Sequence, residues 1–315
     1  MTSVWVLADD RAGNVNQLLG IVEALKTPYE RKDIRYDKWV RLPNFVRGAS
    51  LIGLTDASKT GLTAPWPDIV LSAGRRSFPV ARWIKKQSHG HTKIVQLMNV
   101  GWAGFNEADL IVIPEHDSYK GNANNVLRVA GAPHRITPKK LQAEHNKWQP
   151  QFEKYPHPIL SLIIGGATKD KPFTSDMAHK LMDGVVALNP ASILVTTSRR
   201  TPKDVIDVIR TRLPQGSYLY QFGDTGDNPY FGLLSHADTI VVTGDSISMC
   251  SECCATQADV YIFAPDEMMS EKHKRFHKGL YDLDYATPLG QKRTAHKPET
   301  PFNPANIISD KIKSF

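Results

Sequence analysis

Short apolar runs separated by polar, glycine-bearing loops recur along the chain. They lie at residues 4–8, 69–73, 92–98 and 110–113, and again at 159–164, 192–197, 217–222, 239–243 and 260–263. Most are continuous in Val, Ile and Leu rather than alternating, the pattern of parallel strands buried on both faces. Between them the apolar period lengthens. Leu18, Leu19, Val22 and Leu25 share one face of a helix expected within 15–26. Further helices are expected at 80–86, 174–188, 202–212, 229–236, 247–257 and 270–281. Strand and helix in this order predict α/β domains, with helices on both faces of parallel sheets.

The alternation breaks once, at 133–158. That stretch is polar and holds Pro138, Pro150, Pro156 and Pro158, so it reads as an interdomain connection with a short helix near 139–148. A chain of 315 residues is comfortable for two cores. The expected domains are 1–150 and 151–302. A terminal helix over 303–315, with Asn303 as N-cap and Pro304 at the first helical position, can pack back on the first domain.

Composition adds little, but charge adds more. With 41% hydrophobic and 23% charged residues, the chain is an ordinary globular one. No apolar run approaches the roughly 18 residues of a membrane span, and with Val4-Trp5-Val6-Leu7 read as a strand and no basic stretch before it, no signal peptide is expected. Cys250, Cys253 and Cys254 form no disulfide framework, so a reducing, cytoplasmic setting is expected. Residues 1–150 carry 21 Lys and Arg against 13 Asp and Glu, and the remainder 18 against 19. The basic first half suits an anionic partner, such as a membrane surface, a phospholipid-like acceptor or nucleic acid.

Candidate chemistry sits where strands run into helices, the ligand edge of open α/β sheets. In the first half, Asp9 and Asp10 precede Gly13, Asn14, Asn16 and Gln17. Asp10 is a candidate general base, though either carboxylate could simply cap the helix. The next loop, Ser72-Ala73-Gly74-Arg75-Arg76, pairs a flexible glycine with forked donors suited to an anion. In the second half, Gly165-Gly166-Ala167-Thr168-Lys169 matches neither the Walker nor the dinucleotide glycine pattern. It can still present backbone amides and a Lys169 charge to a diphosphate. Ser198-Arg199-Arg200-Thr201 and Thr243-Gly244-Asp245-Ser246 follow later strands. Glu252 lies one to two turns into the ensuing helix, where its carboxylate could accept both ribose hydroxyls. Asn228-Pro229-Tyr230 could border a base pocket.

Other signals carry less. The cysteines read as packing groups rather than zinc ligands, and Asp282-Leu283-Asp284 as a loop. His273 and His277, at helical spacing without an intervening glutamate, read as surface residues. The stretch 31–41 interleaves cations with Tyr36 and Trp39, as a membrane-interface segment, a nucleic-acid track or a strand with one solvated face would.

At these loops the chain resembles the Elm mitochondrial-fission family, which has plant and bacterial members. The resemblance rests on Asp10 with Gly13, Asn16 and Gln17, on Ser72 to Arg76, on Gly165-Gly166 with Lys169, and on Ser198 to Pro202. Asn228-Pro229-Tyr230, and Thr243 to Met249 with Glu252, complete it. It implies two Rossmann-like domains of the B-type glycosyltransferase architecture, facing a cleft. It also implies a nucleotide-sugar donor as substrate, with no cofactor and no metal. The donor would be held by the second domain through Gly165, Gly166, Lys169, Ser198, Arg199, Asn228, Tyr230, Asp245, Ser246 and Glu252. The acceptor would lie on the first domain, beside Gly13, Asn16, Gln17, Gly74 and Arg75, with Asp10 as the base. The expected activity is metal-independent transfer to a cell-envelope or membrane-associated acceptor. The site of action would be the cytoplasm, peripherally on the inner membrane face. A non-catalytic membrane or fission scaffold, and a sugar-nucleotide epimerase, are the alternatives; nucleic acid is disfavoured.

Overall fold

A computed structural model describes residues 2–168, 170–293 and 296–315. In chain order the first unit runs β1 (Val4–Ala8), α1 (Ala12–Leu25), β2 (Tyr29–Asp33), α2 (Asn44–Arg47), α3 (Asp56–Thr60), β3 (Ile69–Ala73), α4 (Gly74–Gln87), β4 (Lys93–Leu97), β5 (Leu110–Pro114) and β6 (Val126–Val129). The second runs α5 (Pro138–Phe152), β7 (Ile159–Ile163), α6 (Ser175–Ala187), β8 (Ser192–Thr196), α7 (Lys203–Arg212), β9 (Tyr218–Tyr220), α8 (Tyr230–His236), β10 (Thr239–Thr243), α9 (Ile247–Cys254), β11 (Asp259–Phe263), α10 (Glu271–Asp282) and β12 (Thr287–Pro288). The chain then returns to the first unit as α11 (Pro304–Ile312).

The first sheet has the order β2-β1-β3-β4-β5-β6 and is parallel throughout. Successive side chains of a strand point to opposite faces, and β1 shows the consequence. Val4, Val6 and Ala8 join Leu18, Val22 and Leu25 of α1 and Ile308 and Ile312 of α11 in one core layer. Trp5 and Leu7 join Phe78, Ala81 and Ile84 of α4 in the other. With both faces covered, the strand has no polar side to show in its sequence. Asn303 starts α11 as expected, its Oδ1 accepting from the Ala305 amide at 3.0 Å.

The second sheet, also parallel, has the order β12-β11-β10-β7-β8-β9. Met177, Leu181 and Val185 of α6 pack with Val205 and Ile209 of α7 on Leu160, Leu162 and Val195.

The structure moves the expected boundary. The units are 1–135 with 303–315, and 136–302, so the break falls near 135 rather than 150. The reason is α5, a 15-residue helix and not a short piece of connection. Thr137 caps it and Pro138 opens it. Trp148 and Phe152 are buried, with rings stacked at 5.5 Å, and Phe152 meets Tyr218 edge-on at 5.3 Å. A Cβ on Gly232 of α8 would come within 2.4 Å of the Trp148 ring, so α8 needs glycine there to lie against α5. Among the described residues, no helix is long and apolar enough to cross a membrane.

Candidate functional site

Each sheet reverses its strand order once beside its first strand: between β1 and β3 in the first unit, and between β7 and β10 in the second. Loops diverging at such a point leave a crevice at the carboxyl edge, where open α/β sheets bind ligands. Both candidate clusters lie at these points.

In the first unit Asp9 and Asp10 share one guanidinium. Arg76 Nη2 donates to Asp9 Oδ2 at 3.0 Å and also to Asp10 Oδ1, while Nη1 reaches Asp10 Oδ2 at 3.3 Å. Asp9 is nearly closed off, its side chain 3% exposed, and it also accepts from the Arg11 amide (3.0 Å) and Asn14 Nδ2 (3.3 Å). Asp10 is 58% exposed and is the carboxylate open to a reactant. Its hydrogen bond from Arg76 holds it below the usual carboxylate range, so it is ionised at neutral pH. Neither carboxylate caps α1, whose N-cap is Arg11 without a side-chain bond. Arg76 itself lies over the Tyr36 ring, 4.6 Å from its centroid.

The other expected acceptor residues are placed differently. Arg75, expected to face an anion, is exposed and donates to the Leu42 carbonyl at 3.0 Å; Arg76 is the arginine turned to the carboxylates. Asn16 is exposed and Gln17 half-buried, whereas Asn14 is the amide engaged in the loop. Gly13 is exposed on α1. Gly74 has a φ of +73°, a backbone turn that favours glycine at the mouth of α4.

In the second unit a buried carboxylate organises the cluster. The Asp245 side chain is fully enclosed and ion-paired to Arg200 Nη2 at 2.7 Å. Its Oδ2 also accepts from the Gly166 amide (2.9 Å), and its Oδ1 from Thr243 Oγ1 (2.7 Å). The Gly165 amide donates to Thr243 Oγ1 at 2.7 Å. This corrects the expectation that Gly165 and Gly166 offer their amides to a diphosphate, because internal acceptors already take both. The glycines are needed for closeness. A Cβ at Gly165 would come within 2.2 Å of the Asp245 carboxylate, and one at Gly166 within 2.1 Å of the Arg200 carbonyl oxygen. Ser198 is also held internally, its Oγ donating to the Gly165 carbonyl at 2.8 Å. Arg199 is exposed. Lys169 lies outside the described residues.

Ser246 begins α9, its Oγ accepting from the Met249 amide at 3.3 Å. That caps one of the initial amides, and the amides of Ile247 and Ser248 have no acceptor within the helix. Further along, Glu252 is held from the side, its Oε2 accepting from the Tyr230 hydroxyl at 2.6 Å. Burial raises the Glu252 carboxyl above its ordinary value, opposed by the Tyr230 bond and the nearby Lys140 charge. Tyr230 is thus the partner of Glu252. Asn228, exposed, turns the chain into α8 by accepting from the Tyr230 amide at 3.0 Å.

His277, expected at the surface, is 3% exposed. Its Nε2 donates to the Gly244 carbonyl at 3.0 Å, and a Cβ on Gly244 would meet the ring at 2.5 Å. Burial lowers its pKa to about 4. This residue holds the loop between β10 and α9, and its burial is hidden in the sequence because half of the α10 positions are charged and its buried apolar side chains are Phe276 and Leu280. His273 is half-buried and bonds Ser270 Oγ. The three cysteines are buried, and burial pushes their thiols up, Cys254 to about 12. They act as small packing groups. Asp282 ends α10 and pairs with Lys278.

A family model described as "Mitochondrial fission ELM1" matches residues 12–314. The chain belongs to this family. It is 28% identical to an uncharacterized protein, RP120, of Rickettsia prowazekii, over 99% of this chain and 98% of that one. It is 26% identical to the mitochondrial fission protein ELM1 of Arabidopsis thaliana, over 69% of this chain and 56% of that protein. Among solved structures it is similar to the UDP-GlcNAc 2-epimerase of Neisseria meningitidis bound to UDP-GlcNAc, with a TM-score of 0.54, 12% identity and full coverage of both chains. It is also similar to a glycosyltransferase of Rickettsia africae, with a TM-score of 0.50 and 12% identity over 99% of this chain and 87% of that one. Such likeness shows the fold, so this Elm-family chain has the B-type glycosyltransferase fold of two Rossmann-like domains.

Proposed function

We propose that this Elm-family protein is a metal-independent glycosyltransferase that moves a sugar from a nucleotide-sugar donor to a cell-envelope or membrane-associated acceptor. The observation that carries the reading is the second unit's switch point, where the α9 N-terminus and Glu252 lie on one short segment after β10 and Tyr230, from α8 before that strand, holds the Glu252 carboxylate. A helix N-terminus favours phosphate, and a carboxylate held from one side keeps acceptor capacity for vicinal ribose hydroxyls.

In the proposed reaction an acceptor hydroxyl attacks the anomeric carbon and its proton passes to Asp10. The bond from that carbon to the diphosphate oxygen breaks, and the nucleoside diphosphate leaves with the electron pair. The Ile247 and Ser248 amides, Ser246, Arg199 and Lys169 are the proposed donors to the departing charge. Gly165, Gly166, Ser198 and Asp245 then act behind them, holding the loops together. Asp10 starts ionised, and the Arg76 pair that lowers its basicity would have to loosen as the proton arrives. No cofactor and no metal enters the scheme.

One observation favours a second reading, a non-catalytic scaffold on the same fold: the Gly165 and Gly166 amides and Arg200 are all engaged internally. The UDP-GlcNAc 2-epimerase neighbour keeps the epimerase alternative open to the same experiment. Thermal unfolding with nucleoside diphosphates and their sugars decides. A ligand at 100 times its Kd adds about 2.7 kcal/mol of stability, and incubation with a bound sugar nucleotide then separates transfer from epimerisation by product. A protein stabilised by none of them is a scaffold.

A further inference from the structure

The first unit carries an aromatic surface that its core does not use. Trp102 is 80% exposed, Phe45 62% and Trp39 54%, although burying such rings is a main source of folding free energy. The Phe45 and Trp102 rings stack, 6.0 Å apart and 14° from parallel. Trp39 belongs to the same surface, because its one-turn 3-10 segment, Lys38–Arg41, lies directly against Gly53, next to the exposed Ile52.

This surface is held firmly. Arg47, the last residue of α2 and 1% exposed, donates from Nε to the Ile52 carbonyl (3.0 Å) and from Nη2 to the Arg76 carbonyl (3.1 Å). Arg75 ties the Leu42 carbonyl to α4. The aromatic projections are therefore braced against the α4 turn whose Arg76 pairs with Asp9 and Asp10.

Charge selects the occupant. Residues 38–52 and 98–106 contain no Asp or Glu, while Lys38 and Arg41 are exposed beside Trp39. The acids that border these stretches are engaged, Asp37 by the Trp39 amide at 2.8 Å and Glu107 by the Arg82 guanidinium. Indole rings with flanking cations and no acids match the headgroup level of an anionic bilayer, where Trp is favoured and each cation adds attraction. A second copy of this surface would bring like charges together.

We infer that the Trp39–Phe45–Trp102 surface, with Lys38 and Arg41, docks the first unit onto an anionic lipid bilayer. The inference goes beyond the transferase reading and does not need it, since a scaffold with this surface would bind the same vesicles.

The experiment is co-sedimentation of the full chain with phosphatidylglycerol/phosphatidylcholine vesicles and with phosphatidylcholine alone. Binding is expected to the anionic vesicles only, weakening as salt rises. Trp39→Ser/Phe45→Ser/Trp102→Ser should bind at least tenfold more weakly with an unchanged melting temperature, because these rings are already exposed. Lys38→Glu/Arg41→Glu, which leaves the rings intact, should also bind at least tenfold more weakly. Equal vesicle binding by both variants, or no binding by the wild type, overturns the inference. A wild-type dimer that the aromatic substitutions dissociate also overturns it, in favour of a second copy as occupant. Nucleoside diphosphate binding measured on the same proteins reports separately on the transferase reading.

Discussion

The Tyr230 hydroxyl donates to Glu252 Oε2 at 2.6 Å, joining the first residue of α8 to the helix that follows β10. Twenty-two positions separate the two residues, and neither has an evident reason to be polar inside a packed unit except the other. If the pair presents a carboxylate to ribose, Glu252→Ala should leave the protein folded and weaken nucleotide binding. A hydrogen bond to a charged group is worth about 1.5–3 kcal/mol, roughly 10- to 150-fold in Kd. Tyr230→Phe should give a smaller loss in the same titration, because the carboxylate stays but is no longer held. Calorimetry showing wild-type affinity in a folded Glu252→Ala protein would remove the residue from the site.

Asp10 and Arg76 make the next test. Asp10→Asn should keep donor affinity, since the proposed donor residues all belong to the second unit. Turnover on an identified donor and acceptor should fall by about 10²–10⁴-fold, the usual weight of a general base. Because Asp10 does not cap α1, its exchange for Asn should cost little stability. Full turnover in this variant would end the proposed mechanism.

Arg200 balances the enclosed charge of Asp245. Removing one partner of a buried pair typically costs about 3–5 kcal/mol. Arg200 is itself 37% exposed, so Arg200→Ala should fall at the lower end of that range in urea unfolding. A change below about 0.5 kcal/mol would show that the Gly166 amide and the Thr243 hydroxyl satisfy Asp245 unaided.

Acid should loosen the same loop through His277. Its folded pKa is about 4, against 6.5 for the free side chain. Between these values the unfolded chain binds a proton that the folded one does not. This group's contribution is therefore fully present above about pH 6.5 and is lost as pH falls toward 4. At about 1.4 kcal/mol per unit, the loss is on the order of 3 kcal/mol. The urea midpoint should drop more steeply between pH 6.5 and 4.5 in the wild type than in His277→Gln, which keeps a donor for the Gly244 carbonyl. Parallel pH profiles would contradict the assignment.

The apolar runs alone determined the α/β class and most of the strands, because a strand buried on both faces must be apolar throughout. The loops at the strand ends were legible for the complementary reason: glycine and charge follow a buried strand only where the chain turns at an edge. Tertiary structure decided what local pattern does not encode. The edge strand β2, with the sequence Tyr-Glu-Arg-Lys-Asp and an exposed surface, has no apolar signature and is a strand only because β1 pairs with it. The helix α5 has few apolar positions and a proline near its end, yet it is fixed by Trp148 and Phe152 finding α8. Which arginine of each Arg-Arg pair faces a carboxylate, and whether the Gly165 and Gly166 amides are free or taken, depends on side chains brought together from loops up to 79 positions apart. Periodicity reports which face of an element is buried. Only packing reports which polar group the buried face meets.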